Sequence, residues 1–150
     1  MIRIEVQPQV FDTAVELSRL AEGRADIGAI ASFTGLVRAD SGLTALTLEH
    51  HPTMTGRELA RIAAAAEARW PILAGTIIHR YGRLLPGDPI VLVAIASPHR
   101  SAAFAACEYL MDWLKTRAPF WKRETGPWGE RWVEAKAEDD AAADRWRNSR

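Results

Sequence analysis

Lys115, Arg117, Lys122 and Arg123 crowd around a Pro119-Phe120-Trp121 break within Leu110–Glu124, L-M-D-W-L-K-T-R-A-P-F-W-K-R-E. Pro119 disfavours helical geometry at Ala118 and has no N–H to donate, so an amphipathic helix entering this stretch must stop by Ala118. Lys115 then lies on the last helical turn and Lys122 on the segment that leaves the turn. Two ammonium groups from different elements can converge on one spot, where they repel unless an anion lies between them. The arrangement suits a receptor for phosphate or carboxylate, with lysines that stabilise developing negative charge or move protons. The Trp121-Lys122 pairing favours a flat heteroaromatic ligand. A plainer use stays open, in which a cationic last turn complements the helix macrodipole and Lys122 is a solvated strand residue.

Other segments add candidates. Ser97-Pro98-His99-Arg100-Ser101 falls between an apolar strand and a helix, where free helix N–H groups accept anions. His99 could shuttle a proton near neutral pH and Arg100 could grip a phosphate with two N–H groups; a capped loop with an exposed His and Arg is the alternative. Gly35-Leu36-Val37-Arg38 could direct a guanidinium from a strand end into a cleft. Glu49-His50-His51 is read as structural, because adjacent strand residues face opposite ways. With no cysteine pair and no H-x-x-x-H pattern, a zinc site is rejected. Cys107 falls on an apolar helix face, where a buried thiol is packing. Trp113, Trp121 and Trp132 lie close enough in sequence to the basic cluster to wall a pocket. No phosphate-binding G-x-x-x-x-G-K-[ST] and no G-x-S-x-G occurs.

The bulk composition narrows the class. The chain of 150 residues is 48% apolar and 25% charged with zero formal net charge, as expected of one globular domain. A strongly basic nucleic-acid binder is disfavoured. A single cysteine excludes an internal disulfide. No apolar run reaches the ~18–20 residues that span a bilayer, and the start M-I-R-I-E-V has no apolar signal core. The reading is a soluble, cytoplasmic protein.

These candidates need elements to position them. Ile2, Ile4 and Val6 alternate with polar residues, as in a half-buried strand. Asp12 can cap a helix over about 13–21. Strands follow over Gly28–Val37 and Thr44–His50, the latter closed by Pro52. Thr55, with Glu58 at the capping-box position, predicts a helix over about 56–70. Thr76–Tyr81 reads as a strand, Pro86–Pro89 as a turn and Ile90–Ala96 as a central strand. Ser101 can cap a long helix from Ala102 to Arg117, with Phe104, Cys107, Leu110, Met111 and Leu114 as its buried face. Phe120–Thr125 and Arg131–Lys136 flank a Gly-Pro-Trp-Gly turn as a hairpin. The charged, Ala-rich tail after about 137 is expected to be a weak helix or a frayed, flexible end. Paired strands between single helices predict an α+β fold with a mixed or antiparallel sheet.

Several of these segments carry a resemblance: S-F-T-G-L-V-R (Ser32–Arg38), L-T-L-E-H-H-P (Leu46–Pro52), I-H-R-Y-G-R-L-L-P-G-D (Ile78–Asp88), S-P-H-R-S-A-A-F (Ser97–Phe104), M-D-W-L-K-T-R-A-P-F-W-K-R-E (Met111–Glu124) and R-W-V-E-A (Arg131–Ala135). Together, in this order, they resemble the large, catalytic subunit of molybdopterin synthase, the MoaE family. The resemblance implies an α/β-hammerhead fold with an additional antiparallel β subdomain, forming one domain over 1–150. It implies a homodimer that carries at each end a small ubiquitin-like sulfur-carrier subunit (MoaD type) ending in Gly-Gly. The implied activity is that of a sulfurtransferase, moving sulfur from the carrier's C-terminal thiocarboxylate to cyclic pyranopterin monophosphate to form the molybdopterin dithiolene. Matched motif by motif, Lys115 and Lys122 fall on the catalytic positions. Arg38, His99 and Arg100 fall on substrate-binding positions, and Phe33 and Met111 on pocket-lining ones. No metal and no resident cofactor are implied, since sulfur arrives on the partner, and neither nucleic acid nor membrane is expected as a partner. The short loop Ala39–Leu43, Pro98 and Trp128 depart from the family pattern. The competing readings are a non-catalytic α+β module that binds an acidic or Gly-Gly peptide tail, and a single-strand binder stacking bases on Trp121 and Trp132.

Overall fold

Alternation, caps and glycine turns divide the chain into eight strands and four helices among the described residues, 1–133 and 137–147 of a computed structural model. They run β1 (Ile2–Gln7), α1 (Thr13–Ala21), β2 (Ala29–Leu36), β3 (Ala45–His50), α2 (Pro52–Arg69), β4 (Ala74–Arg80) and β5 (Gly82–Leu84). Then come β6 (Pro89–Ser97), α3 (Arg100–Arg117), β7 (Phe120–Gly126), β8 (Gly129–Val133), α4 (Ala137–Asp144) and a 3-10 turn, Arg145–Arg147. Of the hairpin strand expected over Arg131–Lys136, residues 134–136 lie outside the described residues.

Two four-stranded sheets result, in the orders β1-β4-β6-β2 and β5-β3-β7-β8. The first is mixed: β1 pairs parallel with β4, while β4–β6 and β2–β6 are antiparallel. The second is antiparallel throughout. This is the α+β fold that the element order predicts, in the hammerhead form with an added antiparallel β subdomain that the resemblance implies. On one face of the first sheet, α2 and α3 bury Leu59, Ile62, Ile77, Val93, Ile95 and Leu110. On the other, Leu17 and Leu20 of α1 cover Ala94 and Ala96. A smaller core of Val37, Leu43, Leu46, Leu48 and Leu84 underlies the second sheet. The continuous apolar run of β6 is buried because helices cover both its faces.

The structure differs from the sequence expectation in four places. The strand expected over 76–81 is β4, but Gly82, at φ +89°, turns the chain out of the first sheet and a further strand, β5, which the sequence did not predict, follows in the second. Helix α2 starts at Pro52 rather than near Gly56. His51 is its cap, accepting the Met54 N–H through Nδ1 at 3.2 Å, and Thr55 is buried one turn in. Proline at the first helical position loses only an N–H that would have no partner there. Helix α3 starts at Arg100 with His99 as N-cap, and Phe104 is 66% exposed rather than core; Ala103 and Ala106 take the buried face instead.

Finally, of the two forms expected of the tail, a weak helix or a frayed end, the helix is the one present, and residues 137–147 are anchored. Ala143 is buried, α4 packs on α3, and Arg145 pairs with Glu108 and Asp112. Trp146 donates to Asp112 at 2.7 Å and packs edge-on against Trp70 and Tyr109.

Candidate active site

Lys115 and Lys122 open onto one cavity of about 630 Å³. The Pro119 break works as its chemistry requires: α3 ends with Ala118 in extended geometry, and β7 begins at Phe120. Lys115 comes from the last turn of α3. Lys122 comes from β7, where it lies opposite Leu48 of β3. Strand alternation sets Phe120 and Lys122 on the cavity side and turns Trp121 and Arg123 away. Of the four clustered cations, therefore, only these two lysines reach the cavity. The Arg117 and Arg123 guanidiniums instead cover the rings of Trp113 and Trp132, at 5.3 and 5.7 Å.

A third cation joins from β2. A register shift at Gly35/Leu36 ends the pairing with β6, and such bulges re-aim the chain beyond them. Val37 exchanges hydrogen bonds with Asp88 and Gly87, fixing the exit of β2. Arg38 follows at the cavity mouth, exposed and paired with Asp40 at 3.0 Å. Gly35 has no room for a side chain: a Cβ there would stand 2.9 Å from Val91 Cγ1 and 3.3 Å from the Phe33 ring. Phe33 and Met111 both line the cavity, as the resemblance implies.

His99 and Arg100 are exposed and lie elsewhere. They open α3, whereas Lys115 lies in its last turn, about 22 Å away along the axis at ~1.5 Å per residue. Within one chain they do not reach the cavity. Trp113, Trp121 and Trp132 do not line it either. The aromatic wall is made instead by Phe33, Phe120 and His79.

His79 escaped the sequence reading of the site. Its ring stacks on Phe120 with centroids 3.7 Å apart and planes 13° from parallel. His50 packs against Phe120 and Tyr81 and meets the Thr55 hydroxyl at 3.2 Å. The adjacent histidines, His50 and His51, thus pack and cap. Burial, reinforced by the charges of Lys122 and Lys115 and by His50, lowers the His79 pKa from the usual 6.5 to about 4, against a hydrogen bond to the Arg80 carbonyl that works the other way. The signal in the sequence was a lone histidine ending the apolar run T-I-I. Cys107 is buried on α3, and burial raises its pKa to about 11, so it remains an inert thiol.

Electropositive side chains and an apolar, partly aromatic wall suit this cavity to a flat ligand that carries negative charge. No helix among the described residues is long and apolar enough to cross a membrane.

Similarity to known proteins shows the family. The sequence model of the MoaE protein family matches residues 6–117. A molybdopterin synthase catalytic subunit from Mesorhizobium japonicum is 53% identical over 149 residues, covering 97% of this chain and 94% of that protein. Among solved structures, the molybdopterin biosynthesis MoaE protein from Burkholderia ambifaria superposes with a TM-score of 0.85 at 51% identity, covering 97% of this chain and 98% of the other. A molybdopterin synthase from Staphylococcus aureus superposes with a TM-score of 0.78 at 32% identity, covering 87% and 96% of the two chains. The chain belongs to the MoaE family.

Proposed function

We propose that this chain is the catalytic subunit of a cytoplasmic molybdopterin synthase. It takes sulfur from the C-terminal thiocarboxylate of a small carrier protein ending in Gly-Gly. It delivers that sulfur to cyclic pyranopterin monophosphate, building the dithiolene of molybdopterin. The observation that carries the reading is the meeting of Lys115, Lys122 and Arg38, from three separate elements, on one cavity with an aromatic wall. Both reactants are anionic, and they must approach each other. Fixed cations in a recessed site offset that repulsion without reorganising as the reaction proceeds.

In this reading Lys115 guides the thiocarboxylate and assists proton transfer, and Lys122 stabilises the charged intermediate. Arg38 exchanges Asp40 for the substrate phosphate. The chain needs no cofactor and no thiol of its own, because sulfur arrives on the carrier. The name of the Mesorhizobium relative, a catalytic subunit, agrees with a second chain as donor.

We further assign the working unit as a homodimer. Arg38 and the lysines lie at one end of the β2–α3 layer, His99 and Arg100 at the other. β2 is an edge strand of its sheet. Two copies set side by side along β2 about a two-fold axis would bring His99 and Arg100 of each toward the cavity of the other. Leu36 and Phe104 are 57% and 66% exposed on this layer, which supports burial there. Mixing the protein with a thiocarboxylated carrier and cyclic pyranopterin monophosphate tests the central reading. Dithiolene is the expected product. Carrier binding without product would identify a non-catalytic tail-binding module instead.

A further inference from the structure

Among the described residues, the side chains of the cavity are rich in donors and poor in acceptors. Its polar members are Thr34, Arg38, His79, Lys115 and Lys122. Arg38, Lys115 and Lys122 can only donate, and among the described residues no carboxylate lines the wall. Among the described residues, the Thr34 hydroxyl and one imidazole nitrogen are the side-chain acceptors that remain. A pterin presents more than negative charge, since its ring carries N–H and amino donors. A buried donor left without an acceptor weakens binding by about 10- to 100-fold.

His79 is held in the form that accepts. Its Nδ1 lies 2.8 Å from the carbonyl oxygen of Arg80. A carbonyl cannot donate, so Nδ1 carries the hydrogen, and in the neutral ring Nε2 holds a lone pair. The ring is neutral at physiological pH, because burial and the neighbouring lysines disfavour its cation. Stacking on Phe120, itself packed by His50, holds the plane of the ring. Nε2 is the ring nitrogen that the Arg80 carbonyl does not use, and the residue lines the cavity. A phenyl group would fill the same space without the cost of burying a polar ring.

We propose that His79 reads the substrate: its Nε2 accepts a hydrogen bond from an N–H of the pterin ring, and the His79–Phe120 stack sets the plane in which that ring lies. This rests on the pterin reading above and adds a recognition contact to it.

The test measures binding of cyclic pyranopterin monophosphate by the quenching of tryptophan fluorescence, using wild type, His79→Phe and His79→Gln. Phenylalanine keeps the ring and the stack but deletes both nitrogens, whereas the glutamine amide oxygen can reach the place of Nε2. The expected result is a Kd raised about 10-fold or more by His79→Phe, partial recovery in His79→Gln, and unchanged affinity for the carrier in both. Wild-type affinity in His79→Phe, or equal loss in both variants, would overturn the proposal and leave the pterin reading intact. No binding by wild type would overturn the pterin reading itself. A measurement on the unmodified chain makes the test independent of variant folding. With 15N-labelled histidine, the His79 Nε2 resonance should shift on adding the pterin and stay fixed with inorganic phosphate. A resonance that ignores the pterin while binding is seen by fluorescence would overturn the assignment.

Discussion

Two lysines, a proline and a strand period carry most of the site at the scale of single residues. Lys115 and Lys122 could be placed from sequence because Pro119 fixes where α3 must end and alternation fixes which residues of β7 face inward. His79 could not, because nothing local says which apolar strand will end beneath the second sheet; its partner Phe120 is 41 residues away in the chain. His99 and Arg100 are legible as polar residues at a strand-to-helix junction, but the length of α3 holds them about 22 Å along its axis from Lys115. Cys107 yields a simple prediction. Its thiol, buried and held protonated by burial, should resist alkylation in the native protein at pH 8 and react after unfolding. Cys107→Ala should retain nearly full sulfur-transfer activity, and a large loss in a reconstituted assay would contradict sulfur delivery by the carrier. His79 gives the pH dependence. Its pKa is lowered on folding, so between pH 6.5 and about 4 the unfolded chain binds a proton that the native state excludes. Stability should therefore fall as pH drops through that window, by up to about 1.4 kcal/mol per pH unit from this group. His79→Phe should flatten that slope relative to wild type in urea titrations at pH 7, 6 and 5.

Among the elements, the strands and the order of helices were readable because their apolar periods differ, and the boundaries were less so. The start of α2 shows why. Thr55 and Glu58 have the spacing of a capping box, yet Pro52 fits the first helical position and His51 provides the acceptor. Two valid local signals competed, and the proline won because its fixed φ already suits a first turn. Replacing His51 by alanine removes a helix-capping acceptor that does not itself line the cavity. It should cost about 0.5–2 kcal/mol in chemical denaturation and leave turnover unchanged. The tail is the opposite case. Composition alone made it a weak helix, but its anchors, Trp146 on Asp112 and Arg145 on Glu108, join segments more than 30 residues apart. Such long-range pairs leave no periodic trace. Phe104 departs from the expectation for a related reason: an apolar residue at a helical interval is core only if something covers that face, and among the described residues of one chain nothing does so there.

The molecule as a whole carries zero net charge but gathers three cations on one cavity. Global neutrality removes general attraction for polyanions while local charge selects particular ones. The dimer reading makes a prediction that belongs to this scale. Lys115→Ala and His99→Ala/Arg100→Ala homodimers should each be poorly active. Mixing them under conditions that exchange subunits should restore activity, because each mixed dimer contains one pocket with a full set of residues. No recovery despite subunit exchange, confirmed by intact mass, would show that His99 and Arg100 do not serve a neighbouring copy. The central claim, that cations from separate elements form the meeting place of two anionic reactants, is tested most directly by single-turnover sulfur transfer. The assay uses thiocarboxylated carrier, the pterin substrate and the Lys115→Ala or Lys122→Ala protein. The account predicts a rate about 100- to 1000-fold below wild type for each variant, with unchanged thermal unfolding. Near-wild-type dithiolene formation by either variant would contradict it.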